Sequence, residues 1–232
     1  MTIKSLTSVH STGWALINKL NETIKQSPII SLVFLVLTWH SICIYVVKDF
    51  GWDDGAIGLA FAKTLAETGS ISLTPSSEVV EGYSSTLWIL ILSLIHKLFN
   101  PEFSQFIRLS QITTAICSAI SSVLFFSIIK QVWKEKIVQS FLLSFLLFIT
   151  TPYVSETVNG MEMALATTIS LSILYFIFVK LDNSEKNLSN ESILLLFILA
   201  GLGSLVRWEF SFYLCISSVF LWKYHRKFSY PI

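Results

Sequence analysis

Two adjacent carboxylates, Asp53 and Asp54, stand directly after the first long apolar segment of the chain. Paired carboxylates can take the proton from a hydroxyl nucleophile, and they can also hold a divalent cation. The same two residues would be ordinary in a solvated loop, where polar side chains are common. The choice between a reaction centre and a solvated loop depends on the other polar residues and on the elements that carry them.

Three further motifs carry charged or polar residues beside apolar segments. Glu81 and Tyr83 lie in "VEGYSSTLW", Glu162 lies in "VNGMEMAL", and Arg207 and Glu209 lie in "RWE". An arginine can bind a phosphate group, and a carboxylate in the first turn of a helix is favoured by the helix dipole. The Ser-Ser-Thr run also has a plain structural interpretation as the N-terminal cap of the next helix. Site and structural roles are therefore both open for these motifs.

The composition places the chain in a membrane. Hydrophobic residues make up 53% of the sequence and charged residues 13%, against about 25% charged in an ordinary soluble domain. The mean hydropathy is +0.67. The formal net charge of +1 includes no basic block that would neutralise phosphates, so nucleic acid is excluded as a partner.

Seven apolar segments are candidate membrane helices, because about 20 apolar residues are needed to cross the hydrocarbon core. They are 28–47, 84–99, 105–129, 137–153, 162–180, 192–206 and 209–222. If 84–99 lies along the membrane surface, the short Lys/Arg-rich segments fall on one side, as expected for the cytoplasm. The acidic segments 49–54, 78–81 and 156–162 then collect on the other side.

This arrangement predicts an all-α fold, a polytopic transmembrane helix bundle with about six spans. A cytoplasmic arm (1–27) precedes a transmembrane module (28–222), and a cytoplasmic tail (223–232) follows it. Within the module, residues 48–104 form an outer loop with two interfacial helices, at 57–67 and 84–99. The acidic motifs and Arg207 would then converge on the outer face, and this convergence is the main functional signal.

At these motifs the chain resembles the bacterial GT-C-type membrane glycosyltransferases. "DD-x-x-I", "EGYSSTLW", "E-x-x-x-GME" and "LAGLGSLVRWE" occur in the same order as in the branch related to mycobacterial arabinofuranosyltransferases. The resemblance covers about residues 28–222. The chain differs from the family pattern at Ala56, where an aromatic residue is usual, at Met163 for Thr, and at Trp208 for Pro.

The resemblance implies an inverting sugar transfer from a polyprenyl-phosphate donor, at the outer face of a bacterial inner membrane. Asp53 or Asp54 would be the general base, and Arg207 would bind the lipid phosphate leaving group. The sugar site would be shaped by Glu81, Tyr83 and Glu162, with Glu209 as a further substrate-binding residue. The acceptor is left open between a glycan, a lipid and a protein, and participation of a divalent cation is open as well.

Two other functions remain as alternatives. One is a non-catalytic membrane protein of the same fold, acting in cell-envelope or flagellar assembly. The other is a small transporter, which is disfavoured because transporters place their charges near the midplane and show repeated halves. The family usually continues with more spans, so a second chain that completes the fold is a further expectation.

Overall fold

The computed structural model describes residues 22–47, 54–78, 83, 85–181, 190–213 and 215–216. All regular elements within these ranges are helices, which supports the predicted helical bundle. Their bounds are α1 Pro28–Val47, α2 Asp54–Thr68, α3 Thr86–Phe99, α4 Phe103–Val132, α5 Ile137–Phe148, α6 Thr151–Val158, α7 Met163–Tyr175 with a π-helical continuation Phe176–Leu181, and α8 Asn190–Val206 with a following 3₁₀ turn Trp208–Phe210.

Local sequence signals mark both ends of α3. Ser85 caps its start by accepting a hydrogen bond from the Trp88 main-chain N–H at 3.4 Å, as the Ser-Ser-Thr run predicted. Asn100 ends it in the left-handed conformation, with φ of 43°, and its N–H donates to the His96 carbonyl. The chain is then free to turn into α4.

The centre of the bundle is α4, which packs against α1, α5, α6 and α7. With 30 residues it is about 45 Å long, enough to cross a membrane with a surplus. Its first turns also contact the α2–α3 pair, where Phe106 joins Phe61 and Leu92 in one apolar cluster. At the other end Phe126 packs in a cluster with Ile24 and Leu32, so α1 and α4 run antiparallel.

One face of α4 is polar although it is completely buried. Its residues are Ser110, Gln111, Thr114, Ser118, Ser121 and Ser122, each at most 1% exposed. Small polar residues at this helical spacing allow close packing and supply hydrogen bonds across helices. The face is turned toward α6 and α7, which it therefore holds by hydrogen bonds as well as by apolar contact.

Among the described residues, two helices, α1 and α4, are long and apolar enough to cross a membrane, and the number rises to three if α5 and α6 form one broken span. Shorter apolar helices cover Thr86–Phe99, Met163–Val179 and Leu194–Val206. The exposed side of α1 carries large apolar side chains such as Ile30, Phe34 and Tyr45. Such a surface is rare on soluble monomers, so the fold is that of a membrane protein.

The predicted span at 137–153 is broken into two helices. The helix ends at Phe148, and α6 starts at Thr151 after a bend of 54°. The cause is Pro152, which is favourable in the first turn of a new helix but cannot continue the old one. Of the predicted span at 209–222, residues 209–213, 215 and 216 are described, and 208–210 form a 3₁₀ turn.

Candidate functional site

A tight turn joins α6 to α7 and carries the "NGME" motif. Gly160 in this turn has φ of +68°, a conformation that glycine adopts without strain. A Cβ atom at this position would also overlap the Ser110 side chain of α4. The turn therefore lies directly on the polar face of α4, and its glycine is required for both reasons.

Side chains from α3 and α4 bind three main-chain carbonyls of this turn. Thr114 Oγ1 donates to the Thr157 carbonyl at 2.7 Å, and Gln111 Nε2 donates to the Val158 carbonyl at 2.7 Å. The indole Nε1 of Trp88 donates to the Gly160 carbonyl at 3.1 Å. The last carbonyls of a helix lack partners within the helix, so these bonds stabilise the C-terminal end of α6. They also tie "EGYSSTLW" to "NGME" through Trp88.

The start of α2 rests on the same turn. A Cβ atom on Gly55 would overlap the Asn159 carbonyl oxygen, and it would approach the Met161 side chain to 3.9 Å. Asp54 is the first residue of α2 and precedes Gly55, so its main chain lies at this end of the bundle. The other member of the pair, Asp53, lies outside the described residues, as does Glu81.

Glu162 follows the turn and is buried, with 6% of its surface exposed. It is the N-cap residue of α7, and its Oε1 lies 3.6 Å from Nη1 of Arg207. The same Nη1 donates to the Met163 sulfur at 3.2 Å. The structure thus brings Glu162, at the start of α7, next to Arg207, at the end of α8. Both residues were predicted for the site, the second as a phosphate binder.

The second carboxylate on Arg207 belongs to Glu209. Nη2 of the guanidinium lies 3.1 Å from Oε1, and Nε lies 3.5 Å from Oε2, so the two groups meet fork to fork. The hydrogen bond from Arg207 lowers the pKa of the Glu209 carboxyl below its usual range. The same bond raises the pKa of Arg207, with a smaller contribution from the charge of Glu162. The guanidinium therefore remains charged.

The main chain around Arg207 is built on the last turn of α8. The Arg207 N–H donates to the Gly203 carbonyl at 2.9 Å, and the Phe210 ring packs where a Cβ on Gly203 would stand. Arg207 is extended, with φ of −148° and ψ of 135°. This is the conformation that a following proline would favour, although Trp208 occupies that position. Trp208 at that position therefore does not prevent the extended backbone of Arg207.

Tyr83 has a different environment from the other predicted site residues. Its ring is half-buried and packs edge-on against Phe61 of α2, with the ring centroids 5.3 Å apart. It is part of the apolar cluster that joins α2 to α3. The contacts of Tyr83 thus support the packing of α2 against α3, and a role toward a substrate stays a prediction.

The described residues contain no group of three or more His, Cys, Asp or Glu side chains that could hold a metal ion. That set does not include Asp53 or Glu81. A divalent cation at the Asp pair stays a prediction.

Sequence reasoning missed the residues that hold the turn in place, namely Ser110, Gln111 and Thr114 of α4 and the indole of Trp88. A signal for the first three was present, because polar residues recur at helical spacing within the apolar segment 105–129. The α6 carbonyls that Gln111 and Thr114 bond could not be predicted, since the packing of the helices decides which carbonyl lies in reach. The Ser110 hydroxyl donates to the Ile107 carbonyl of its own helix, and Ser110 contacts the turn at Gly160.

No protein-family model, no curated protein and no solved structure matches this chain.

Proposed function

We propose that the chain is the catalytic module of a membrane glycosyltransferase of the GT-C type, acting on a polyprenyl-phosphate sugar. The observation that carries the proposal is the ion-pair cluster of Glu162, Arg207 and Glu209, at the end of the bundle where α2 begins with Asp54. In the proposed site, Arg207 and the Asp pair supply the two groups that such a transfer needs. These are a phosphate binder and a general base.

The reaction is a displacement at the anomeric carbon of the donor. The acceptor hydroxyl oxygen forms the new bond to this carbon, and its proton passes to the carboxylate of Asp53 or Asp54. The bond between the anomeric carbon and the phosphate oxygen breaks, and the polyprenyl phosphate leaves with the electron pair. Because attack is opposite the leaving group, the configuration inverts. The protein contributes orientation and stabilisation of the developing charge by Arg207.

The proposed topology has about six spans, with the site at the outer face of a bacterial inner membrane. The two ends of the bundle differ in charge, which supports this orientation. Glu162, Glu209 and the start of α2 share one end, whereas α4 reaches Lys130 at the other, followed by Lys134 and Lys136. Basic residues beside spans are retained in the cytoplasm. At 14 residues, or about 21 Å, α3 suits an interfacial position.

A transfer assay in membranes that contain only this chain tests the proposal. A radiolabelled polyprenyl-phosphate sugar is supplied to wild type, Asp53→Asn and Asp54→Asn, with Glu67→Gln as the control carboxylate. Label should move to a non-lipid acceptor with wild type and the control, and at least one Asp variant should lose more than about a hundredfold of the rate. Equal rates in all four proteins would disprove the role of Asp53 or Asp54 as the general base. No transfer by folded wild type across several donors would favour the non-catalytic alternative or the need for a second chain.

A further inference from the structure

Arg207 is bound by two carboxylates that differ in their freedom to move. Glu162 is 6% exposed and lies at the first residues of α7, next to the turn that Trp88 and α4 hold. The Glu209 side chain is 43% exposed and lies in a single 3₁₀ turn that follows α8. If the buried carboxylate separated from Arg207, its charge would be left uncompensated. An exposed carboxylate that separates is hydrated by solvent instead. Glu209 is thus the partner that can leave.

The fork that Glu209 occupies is also the one that a phosphate would use. Phosphate and carboxylate groups both bind an arginine through two parallel N–H donors, here Nε and Nη2. The cluster of one arginine and two glutamates has a formal charge of −1, from +1 and −2. An added anion would meet this negative charge, so it binds well only if one carboxylate withdraws.

We propose that Glu209 is an exchangeable internal ligand of Arg207, which a phosphate monoester displaces and which rebinds when that monoester leaves. This inference rests on the proposed function, in which Arg207 binds the lipid phosphate. Transfer turns a phosphodiester, with one negative charge, into a monoester with nearly two near neutral pH. The monoester is thus the strongest competitor for the fork. Rebinding of Glu209 returns the site to its resting state and promotes release of this product.

The consequence is a measurable penalty on phosphate binding. Apparent affinity is reduced in proportion to the fraction of molecules in which the binding group is available. In this structure Nε and Nη2 of Arg207 are both bonded to Glu209. Replacing Glu209 with the neutral isostere glutamine weakens the competing contact and leaves Glu162 and the 3₁₀ turn in place. Affinity for a phosphate monoester should therefore increase.

The test is calorimetric titration of the purified full-length chain, in lipid nanodiscs, with farnesyl phosphate. Glu209→Gln should bind about fivefold more tightly than wild type. Glu209→Ala gives a second variant, and thermal unfolding monitors the fold of both. The matched control is Glu67→Gln, because Glu67 is also 43% exposed and also paired with a cation, Lys63, at 3.8 Å. This control should bind like wild type.

Arg207→Ala separates the two proposals. It should lose at least tenfold in affinity, and the gain from Glu209→Gln should vanish in the double variant. If Arg207→Ala loses affinity but neither Glu209 variant gains any, the exchange is disproved and phosphate binding by Arg207 stands. If Arg207→Ala binds like wild type, or if no variant binds, the phosphate-binding role within the proposed function fails and the exchange fails with it.

Discussion

Gly55 lies directly against the main-chain carbonyl of Asn159, with no room for a side chain between the two. This contact joins the helix that begins at the Asp pair to the turn that leads to Glu162. The two segments are far apart in the sequence, and only the absence of a Cβ lets their main chains meet. The close packing of α2 against the turn that leads to Glu162 therefore depends on one glycine.

The first prediction follows from this contact. Gly55→Ala should destabilise the protein by about 1–3 kcal/mol, because the added methyl group overlaps a main-chain oxygen that cannot move aside. Gly58→Ala is the control, since a Cβ there meets nothing within 4 Å. It should be neutral or stabilise the helix by about 0.5–1 kcal/mol. Thermal unfolding in detergent measures both. Equal stability of the two variants would show that α2 does not rest on the turn.

Gly160 supports a second prediction, about the turn itself. Gly160→Ala combines the cost of a positive φ with an overlap against the Ser110 side chain. Gly69→Ala is matched to it, because Gly69 has φ of +75° but open space around its Cβ position. The free energy of unfolding of the control should fall by about 1 kcal/mol from backbone strain alone. That of Gly160→Ala should fall by at least about 1 kcal/mol more, because of the added overlap. Equal stability of the two variants would mean that the Ser110 side chain moves aside for the new methyl group.

Much of this fold could be predicted from apolar length and from turn signals. The segment 28–47 is α1 as predicted, and Ser85 caps α3 at the position that the Ser-Ser-Thr run indicated. The break before α6 was missed, although Pro152 is a local signal for it. The error came from giving apolar continuity more weight than the proline.

The site was less accessible to sequence reasoning than the helices. Loop charges led to the expectation that Glu162 and Arg207 lie at one end of the bundle, and their contact agrees with it. The hydrogen bonds from Gln111 and Thr114 to the turn could not be expected, since they depend on how α4 is rotated about its axis. Pairing of Arg207 with Glu209 is local, yet its fork geometry depends on the extended backbone at residue 207.

A third prediction concerns the bonds between α4 and the turn. Thr114→Val removes the donor to the Thr157 carbonyl and leaves a buried acceptor without this partner. The neighbouring Thr113 donates to the Leu109 carbonyl of its own helix, and within the described part of the chain it has no hydrogen bond to another helix, so Thr113→Val is the control. In membrane proteins such interhelical bonds contribute about 0.6–1.7 kcal/mol. Thr114→Val should therefore unfold at lower denaturant concentration than Thr113→Val. The reverse order would contradict the proposed role of α4.

Membrane orientation gives a fourth prediction. In a background with Cys43, Cys117 and Cys215 replaced by serine, Glu102→Cys and Lys134→Cys place one thiol just beyond each end of α4. Both positions are exposed. A membrane-impermeant maleimide should label Glu102→Cys in intact bacterial cells and Lys134→Cys only after lysis, because the basic end is retained in the cytoplasm. Labelling in the opposite order would place the arginine cluster inside the cell and exclude an outer-face transfer.

The last prediction is the pH dependence of the Arg207–Glu209 pair. The pKa of Glu209 is lowered by the hydrogen bond from Arg207, so the ionised carboxylate is favoured in the folded protein. The pair is therefore fully formed above the usual pKa range of glutamate, and it is lost as the pH falls through the lowered pKa of the folded state. Carbon-13 NMR of labelled glutamate can follow this titration. In Arg207→Ala the Glu209 signal should titrate at a higher pH, within the usual range, and the signal of Glu67 serves as an internal reference. An unchanged midpoint for Glu209 would mean that the fork is not formed in solution. The proposed exchange would then fail as well, because it requires that Glu209 is paired with Arg207 before a phosphate binds.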